Sequence, residues 1–229
     1  MSLAGEGVVA IWNGIQAQAR ADFYEWHSRE HMPERVAIPG FCRGRRYIAL
    51  EGQPEYFTLY ETRTTEVLSG ADYLARLNSP TPWTRSVTAS FTDTSRSLCR
   101  VALSLGPGEG GLMMTWRLGH KPDAELEKTL RRIADEPGVS GVHLCVADRA
   151  ASSIDTAEKK IRAGENLVPG WVVMVEGFAE RAALEQAVRP LAFDAPVERG
   201  LYQLQYAMPT KSNSRSNSGE ANHDFRPYP

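Results

Sequence analysis

Between Gly7 and Met208, short apolar runs alternate with helical stripes in an order that repeats once. Gly7 to Asn13, GVVAIWN, is an apolar strand. From Gln16 to Arg35, Phe23, His27, Glu30, His31 and Glu34 recur at helical spacing and share one face. Pro39-Gly40 ends that helix, because proline disfavours helical backbone just before it and glycine turns the chain. Phe41 to Leu50 alternates as a strand, with Phe41, Arg43, Arg45 and Tyr47 on one side and Cys42, Gly44, Arg46, Ile48 and Leu50 on the other. Gly52-Gln53-Pro54 turns it into a hairpin with Tyr56 to Thr62. There Phe57 and Leu59 oppose Tyr56, Thr58 and Tyr60. A helix over Thr65 to Leu77, a rigid loop from Ser79 to Trp83 leading to a short helical turn, and a strand over Leu98 to Leu105 complete the unit.

After the glycine-rich linker Gly106 to Gly111 the order returns. Strands are predicted at Leu112 to Arg117, Ser140 to Ala147, Gly170 to Gly177 and Leu201 to Met208, with helices at Asp123 to Asp135 and Arg181 to Leu191. Trp12 and Trp116 stand 104 residues apart, Pro39-Gly40 and Pro137-Gly138 are 98 apart, and Tyr56 to Glu61 aligns with Trp171 to Glu176 at 115. Such self-similarity indicates an internal duplication. The strand-helix-strand-strand-helix-strand order is the ferredoxin-like split βαβ unit. The expected fold is α+β: two ferredoxin-like βαββαβ repeats whose antiparallel sheets pack face to face as an intrachain pseudo-dimeric α+β barrel. Repeat one would span 1–106 and repeat two 107–208, with an insertion at about 150–168 that includes the charged run DTAEKKIRAGE. Trp12, Tyr47, Tyr56, Tyr60 and Trp116 are expected where the sheets face each other. The stretch 209–229 is polar and aperiodic, so disorder is expected there.

Composition narrows the class. A net charge of −2 gives no field to attract nucleic acid or an anionic membrane. No apolar run approaches the roughly 18 residues of a membrane span, and the N-terminus lacks a secretory pattern. Cys42, Cys99 and Cys145 are widely spaced and odd in number, which suits reduced thiols in a cytoplasmic protein.

Candidate chemistry concentrates between Asp22 and Tyr47. His27 and His31 are helix neighbours four residues apart, and an imidazole can take and return a proton near neutrality. His31 is the candidate base, with His27 or Glu30 orienting it. Its place near the helix C-terminus would favour the charged form. Arg45 or Arg46 could hold a developing anion through its fork of donors. Trp26, Tyr60 and Trp83 are candidate pocket walls, although buried aromatics more often simply fill a core. His27 to His31 also spells H-x-x-E-H, a sound two-imidazole metal geometry. Glu61, Glu66 and Glu109 offer a third ligand by position only, so no metal is expected.

The segment WHSREHMPERVAIPGFCRGRRY, followed by YFTLYE and SPTPWT, resembles the dimeric α+β barrel superfamily, and within it the EthD-like proteins. Their first helix carries an aromatic and a His-x-Pro segment before a Pro-Gly turn. The resemblance implies a small-molecule cleft and proton transfer without metal or flavin: oxygenation, dehydration, isomerisation or decarboxylation of a hydrophobic, aromatic or polyketide-like substrate. It carries over most directly to His31. The second-half helix, ELEKTLRRIADEPG, has neither histidine nor aromatic, so one site per chain is implied, with the second half as a built-in partner. Two alternatives accompany this reading: a non-catalytic ligand-binding or stress-response module, and a relative that holds haem or a metal at His27 or His31. A homo-oligomer is compatible with all of them.

Overall fold

The computed structural model describes residues 2–162, 167–193 and 197–210 of the 229-residue chain. Its strands are β1 (Gly7–Ile15), β2 (Phe41–Glu51), β3 (Tyr56–Thr62), β4 (Phe91–Leu105), β5 (Leu112–Leu118), β6 (Val139–Ala147), β7 (Trp171–Gly177) and β8 (Glu198–Pro209). They form one closed barrel in the order β1-β3-β2-β8-β5-β7-β6-β4. Cut at two seams, the ring is a β4-β1-β3-β2 sheet from the first half and a β8-β5-β7-β6 sheet from the second. Antiparallel pairing of β2 with β8 and of β4 with β6 joins them. The sheets therefore face each other across the interior and also bond edge to edge, which leaves no exposed strand edge.

Two strands run longer than their apolar pattern. β4 begins at Phe91 because the polar stretch FTDTSRS is paired with β1. β8 reaches Pro209, and the N–H of Thr210 donates to the Cys42 carbonyl at 2.9 Å, so the expected polar tail begins later than 209. The rest of that expectation, 211–229, lies outside the described residues.

The interior is filled by Val8, Ala10, Trp12, Tyr47, Phe57, Leu59, Met113, Val172, Met174 and Tyr202, all fully buried. Each such large apolar side chain contributes about 1.5–3 kcal/mol by leaving water. Three further clusters lie outside the barrel, beneath the helices. In the second half, α5 (Ala124–Ile133) and α8 (Arg181–Ala187) cover Met114, Trp116, Leu118, Val173 and Val175. In the first half, Val9, Met32, Tyr60, Tyr73 and Leu98 form one cluster, and Phe23, Trp26, Tyr56 and Phe91 another.

Trp12 and Tyr47 thus point inward as expected, whereas Tyr56, Tyr60 and Trp116 point outward under helices. For Trp116 the cause is register. Gly7 pairs with Thr62 and Leu112 with Gly177, which makes Arg117, not Trp116, the counterpart of Trp12. A slip of one residue reverses the face. Phe41 also departs from its predicted side, because the β2–β3 register shifts between Phe41 and Arg43.

Candidate functional site

The long first helix is not uniform. It runs as α1 over Arg20–Trp26, widens into a π turn at His27–His31, and resumes as α2 over Met32–Val36. The Met32 N–H donates to the His27 carbonyl, five residues back. Pro33 follows at once. A proline inside an α-helix has no N–H to donate and crowds the preceding turn, and a π turn just before it relieves that conflict.

His27 and His31 are both buried, at 4% and 7% exposure. Aromatic packing positions them. The His31 ring lies 4.3 Å from Trp26, His27 lies 5.3 Å from Phe23, and the two imidazoles are 5.6 Å apart. They share a cavity with Ile11 and Asn13 of β1, Thr58 of β3, Trp26, Phe91, Arg162, and Thr88 of α4 (Pro82–Thr88). The room there for the centre of a water-sized guest is about 20 Å³. Neither a haem nor an aromatic ring fits that space unless part of the wall moves. A wider groove over the β4–β6 seam, lined by residues including Thr65, Arg100 and Asp148, touches neither histidine.

Burial drives both imidazoles well below their ordinary pKa. The Arg46 and Arg35 guanidiniums add to this at His27, and Arg35, then His27 and Arg162, at His31. His31 is not at the helix C-terminus as expected, since the π turn continues into α2, and burial beside guanidiniums works against the charged form rather than for it. The Nδ1 atoms of both rings are buried with no hydrogen-bond partner among the described residues.

The other predicted residues divide. Trp26 belongs to the site, and its indole N–H donates to Thr84 Oγ1 at 3.1 Å. Tyr60 lies behind it, its ring 6.4 Å from His31 and its buried hydroxyl without a partner among the described residues. Arg46 is on the same side of the sheet, stacked among Phe23, Tyr24 and Tyr206 with Nε donating to Gln205 at 2.8 Å. Glu30 does not orient either histidine. Its Oε1 accepts from Thr81 Oγ1 at 2.5 Å and Thr84 Oγ1 at 3.1 Å, tying the π turn to the start of α4. Trp83 is on the outer side of α4, where its indole donates to Asp22. Arg45 faces the barrel interior, away from the histidines, and pairs with Glu61 and Glu176.

Two residues of the site escape the sequence pattern, Glu158 and Arg162. Both come from the second-half insertion, through α6 (Arg149–Ser153) and α7 (Ala157–Ile161). The β4–β6 seam brings the insertion there. Past the end of β6, the Asp148 N–H donates to the Leu98 carbonyl at 2.8 Å, and Ser152 Oγ accepts from Leu98 N–H at 2.9 Å. Glu158 pairs with Arg35, with side chains 3% exposed, and sits 3.7 Å from Arg162. In the second half the corresponding ground between helix and sheet is filled by Trp116, Leu126 and Leu130. Among the described residues no group of three His, Cys, Asp or Glu side chains converges as a metal site.

No protein-family model matches the chain, and no curated protein matches it in sequence. Solved structures match its fold. A candidate monooxygenase from Fusobacterium nucleatum superposes with a TM-score of 0.57 at 8% identity, covering 90% of this chain and 96% of its own. An anthrone oxidase-like protein gives 0.56 at 11% identity, covering 96% and 99%. A candidate monooxygenase from Lactobacillus acidophilus gives 0.50 at 14%, covering 90% and 97%. The fold class is thereby fixed. This chain has the fold of the dimeric α+β barrels, ferredoxin-like in each half, with both sheets of the barrel supplied by one polypeptide.

Proposed function

We propose that the chain is an EthD-like, cofactor-independent enzyme that moves a proton on a small hydrophobic substrate at His31, with His27 beside it. The observation that carries this reading is the pair of buried imidazoles sharing one cavity, each with an Nδ1 that has no partner among the described residues. A neutral imidazole can accept a proton throughout the physiological range. Abstraction from an acidic C–H beside a carbonyl leaves an imidazolium and an enolate, and enolates of this kind react onward with dioxygen, lose a leaving group or reprotonate. The likeness to an anthrone oxidase-like protein and to candidate monooxygenases favours oxygenation among these. The cavity in its present form admits a guest the size of water or dioxygen, so an aromatic substrate enters by displacing part of the wall. Among the described residues no helix is long and apolar enough to cross a membrane. The three free cysteines suit a reducing, cytoplasmic setting.

Oxygen uptake with a hydroxyanthrone tests the proposal. Turnover should fall by about 10²–10⁴ in His31→Ala, the usual contribution of a general base. Equal turnover in wild type and variant would remove His31 from the mechanism. Saturable quenching of tryptophan fluorescence without turnover of any enolisable ketone would favour a binding module.

A further inference from the structure

The charges around the histidines do not balance. Arg35 and Arg162 share one carboxylate, Glu158, and all three side chains are more than nine-tenths buried. Arg46 lies near enough to depress His27 and has no carboxylate among its described partners, only Gln205 and aromatic rings. Nearby Arg76 is fully occupied by Glu34, and Arg96 donates to the Tyr73 hydroxyl at 2.9 Å. With both imidazoles neutral, the described residues of the buried wall carry three guanidiniums against one carboxylate. Buried N–H groups are left over as well: Arg35 Nη1, Arg46 Nη1 and Arg162 Nε have no partner among the described residues. An uncompensated buried charge is costly, and a protein keeps one where a ligand completes it. Arg162 is the guanidinium that lines the cavity itself.

We infer that the ligand of this cavity is a monoanion, a carboxylate or phenolate, whose charged oxygen is held by Arg162 with Arg35 behind it and the two imidazoles alongside. The inference rests on the reading of the cavity as the ligand site, but not on catalysis. Bound there, the anion supplies the second negative charge that Arg35 and Arg162 lack. It also strengthens His31 as a base, because a nearby negative charge favours the imidazolium. The substrate would thus help to generate its own base, and a neutral analogue would bind poorly and leave His31 weak. The sharing of work between the halves follows too. The first half supplies the proton acceptor, and the insertion in the second supplies the anion hold.

The test is equilibrium binding to the full chain, read by Trp26-sensitive fluorescence and thermal shift, with benzoate as the probe and benzamide as its neutral isostere. Benzoate should bind saturably, with benzamide at least about tenfold weaker, the size expected for one charge-assisted hydrogen bond. Arg162→Gln should lose benzoate affinity by about 10–100-fold on the same grounds, with Arg162→Lys between. Because Arg162→Gln could also unsettle the insertion, Glu158→Gln gives the opposite prediction. Removing the competing carboxylate should tighten benzoate binding. Equal affinity for benzoate and benzamide, or a Glu158→Gln variant that binds benzoate more weakly than wild type while still folded, overturns the inference. Saturable benzoate binding by a wild-type chain that turns over neither a hydroxyanthrone nor any enolisable ketone would sink the catalytic reading and leave this one standing.

Discussion

Arg45 and Glu176 meet inside the barrel as a two-point ion pair, Nη1 to Oε2 at 2.7 Å and Nη2 to Oε1 at 3.1 Å, although they come from opposite halves of the chain. The same guanidinium donates through Nε to Glu61 at 3.1 Å. Glu61 and Glu176 are equivalent under the duplication, and so are Arg45 and His143, which lie opposite Leu59 and Met174. His143 Nε2 is 3.1 Å from Glu176, and its Nδ1 is 3.1 Å from Ser104 Oγ. An ionised carboxylate only accepts, so Nε2 carries a proton and donates it to Glu176. The cluster pins the two sheets to each other and is fully satisfied, unlike the one around His31.

Removing one partner should therefore be severe. Arg45→Met leaves two buried carboxylates facing each other, and such a loss costs about 3–5 kcal/mol. Urea unfolding of Arg45→Met, Glu176→Leu and the double variant should show the double costing clearly less than the sum of the singles. Additive values would mean that the pair does not act as a unit.

Glu176 also gives the cluster a pH signature. Burial alone would raise its pKa, but the hydrogen bond from His143 and the Arg45 charge outweigh burial and hold the carboxyl down to about 2. A carboxyl depressed on folding stabilises the native state above its unfolded pKa of about 4.3, and that stability is lost as pH falls towards 2. The loss should be on the order of 3 kcal/mol, concentrated between about pH 4 and pH 2, and absent in Glu176→Gln. An unchanged acid limb in that variant would contradict the assignment.

The buried histidines act at higher pH. Their folded pKa values lie well below the ordinary 6.5. Once pH drops below about 6.5, the unfolded chain binds protons that the native site refuses, so stability should decline steadily from there into acid. His27→Gln and His31→Gln should each flatten that decline. Imidazole ¹⁵N shifts should report neutral rings at about pH 6, where a free histidine is mostly charged. Protonated rings at that pH would mean that the cavity is wet.

How much of this could be read from the chain depends on whether one strand or helix dictates the answer. Alternation places Phe57 and Leu59 inside and Tyr60 outside, because the pleat has a period of two and β3 has no bulge. The alignment of Glu61 with Glu176 follows the same run and is visible in the sequence, although the meeting of both with Arg45 is not. Trp12 and Trp116 mislead because both are aromatic at a strand end, while hydrogen-bond register, which side-chain type does not reveal, sets the true match at Arg117. Arg117 in fact stacks on Trp12, 5.2 Å from its ring. Glu30 misleads because a uniform 3.6-residue period ignores the π turn that Pro33 favours. Glu158 and Arg162 lie more than a hundred residues beyond His31. Only the β4–β6 seam brings them there, and no local signal encodes a seam.

Glu30 consequently makes a prediction opposite to that of a catalytic carboxylate. Thr81 caps α4 by accepting from the Thr84 N–H at 2.9 Å, and Glu30 holds both threonines. Thr81→Ala should cost about 1 kcal/mol, the usual worth of such a cap. Glu30→Gln should keep turnover within a few-fold of wild type while lowering the melting temperature, since the amide can still accept from one threonine. A collapse of kcat in folded Glu30→Gln would restore the carboxylate to the mechanism.

The support behind His31 rests on an absence of side chain. Gly44 of β2 pairs with Tyr60, and a Cβ placed on it would come within 2.8 Å of the Tyr60 ring and 3.0 Å of Met32 Cγ. Both neighbours are buried, and Met32 directly follows the π turn. Neither can move without pushing on the wall that holds the imidazole. Gly44→Ala should therefore cost about 1–3 kcal/mol, the usual range for overpacking a tight core. It should also change the fluorescence of Trp26, which is stacked on His31, although Gly44 touches neither ring. Gly108→Ala, where a Cβ meets nothing within 4 Å, is the control and should leave stability and emission unchanged. If the two alanine variants behave alike, the packing between β2 and the π turn is too soft to set the position of His31.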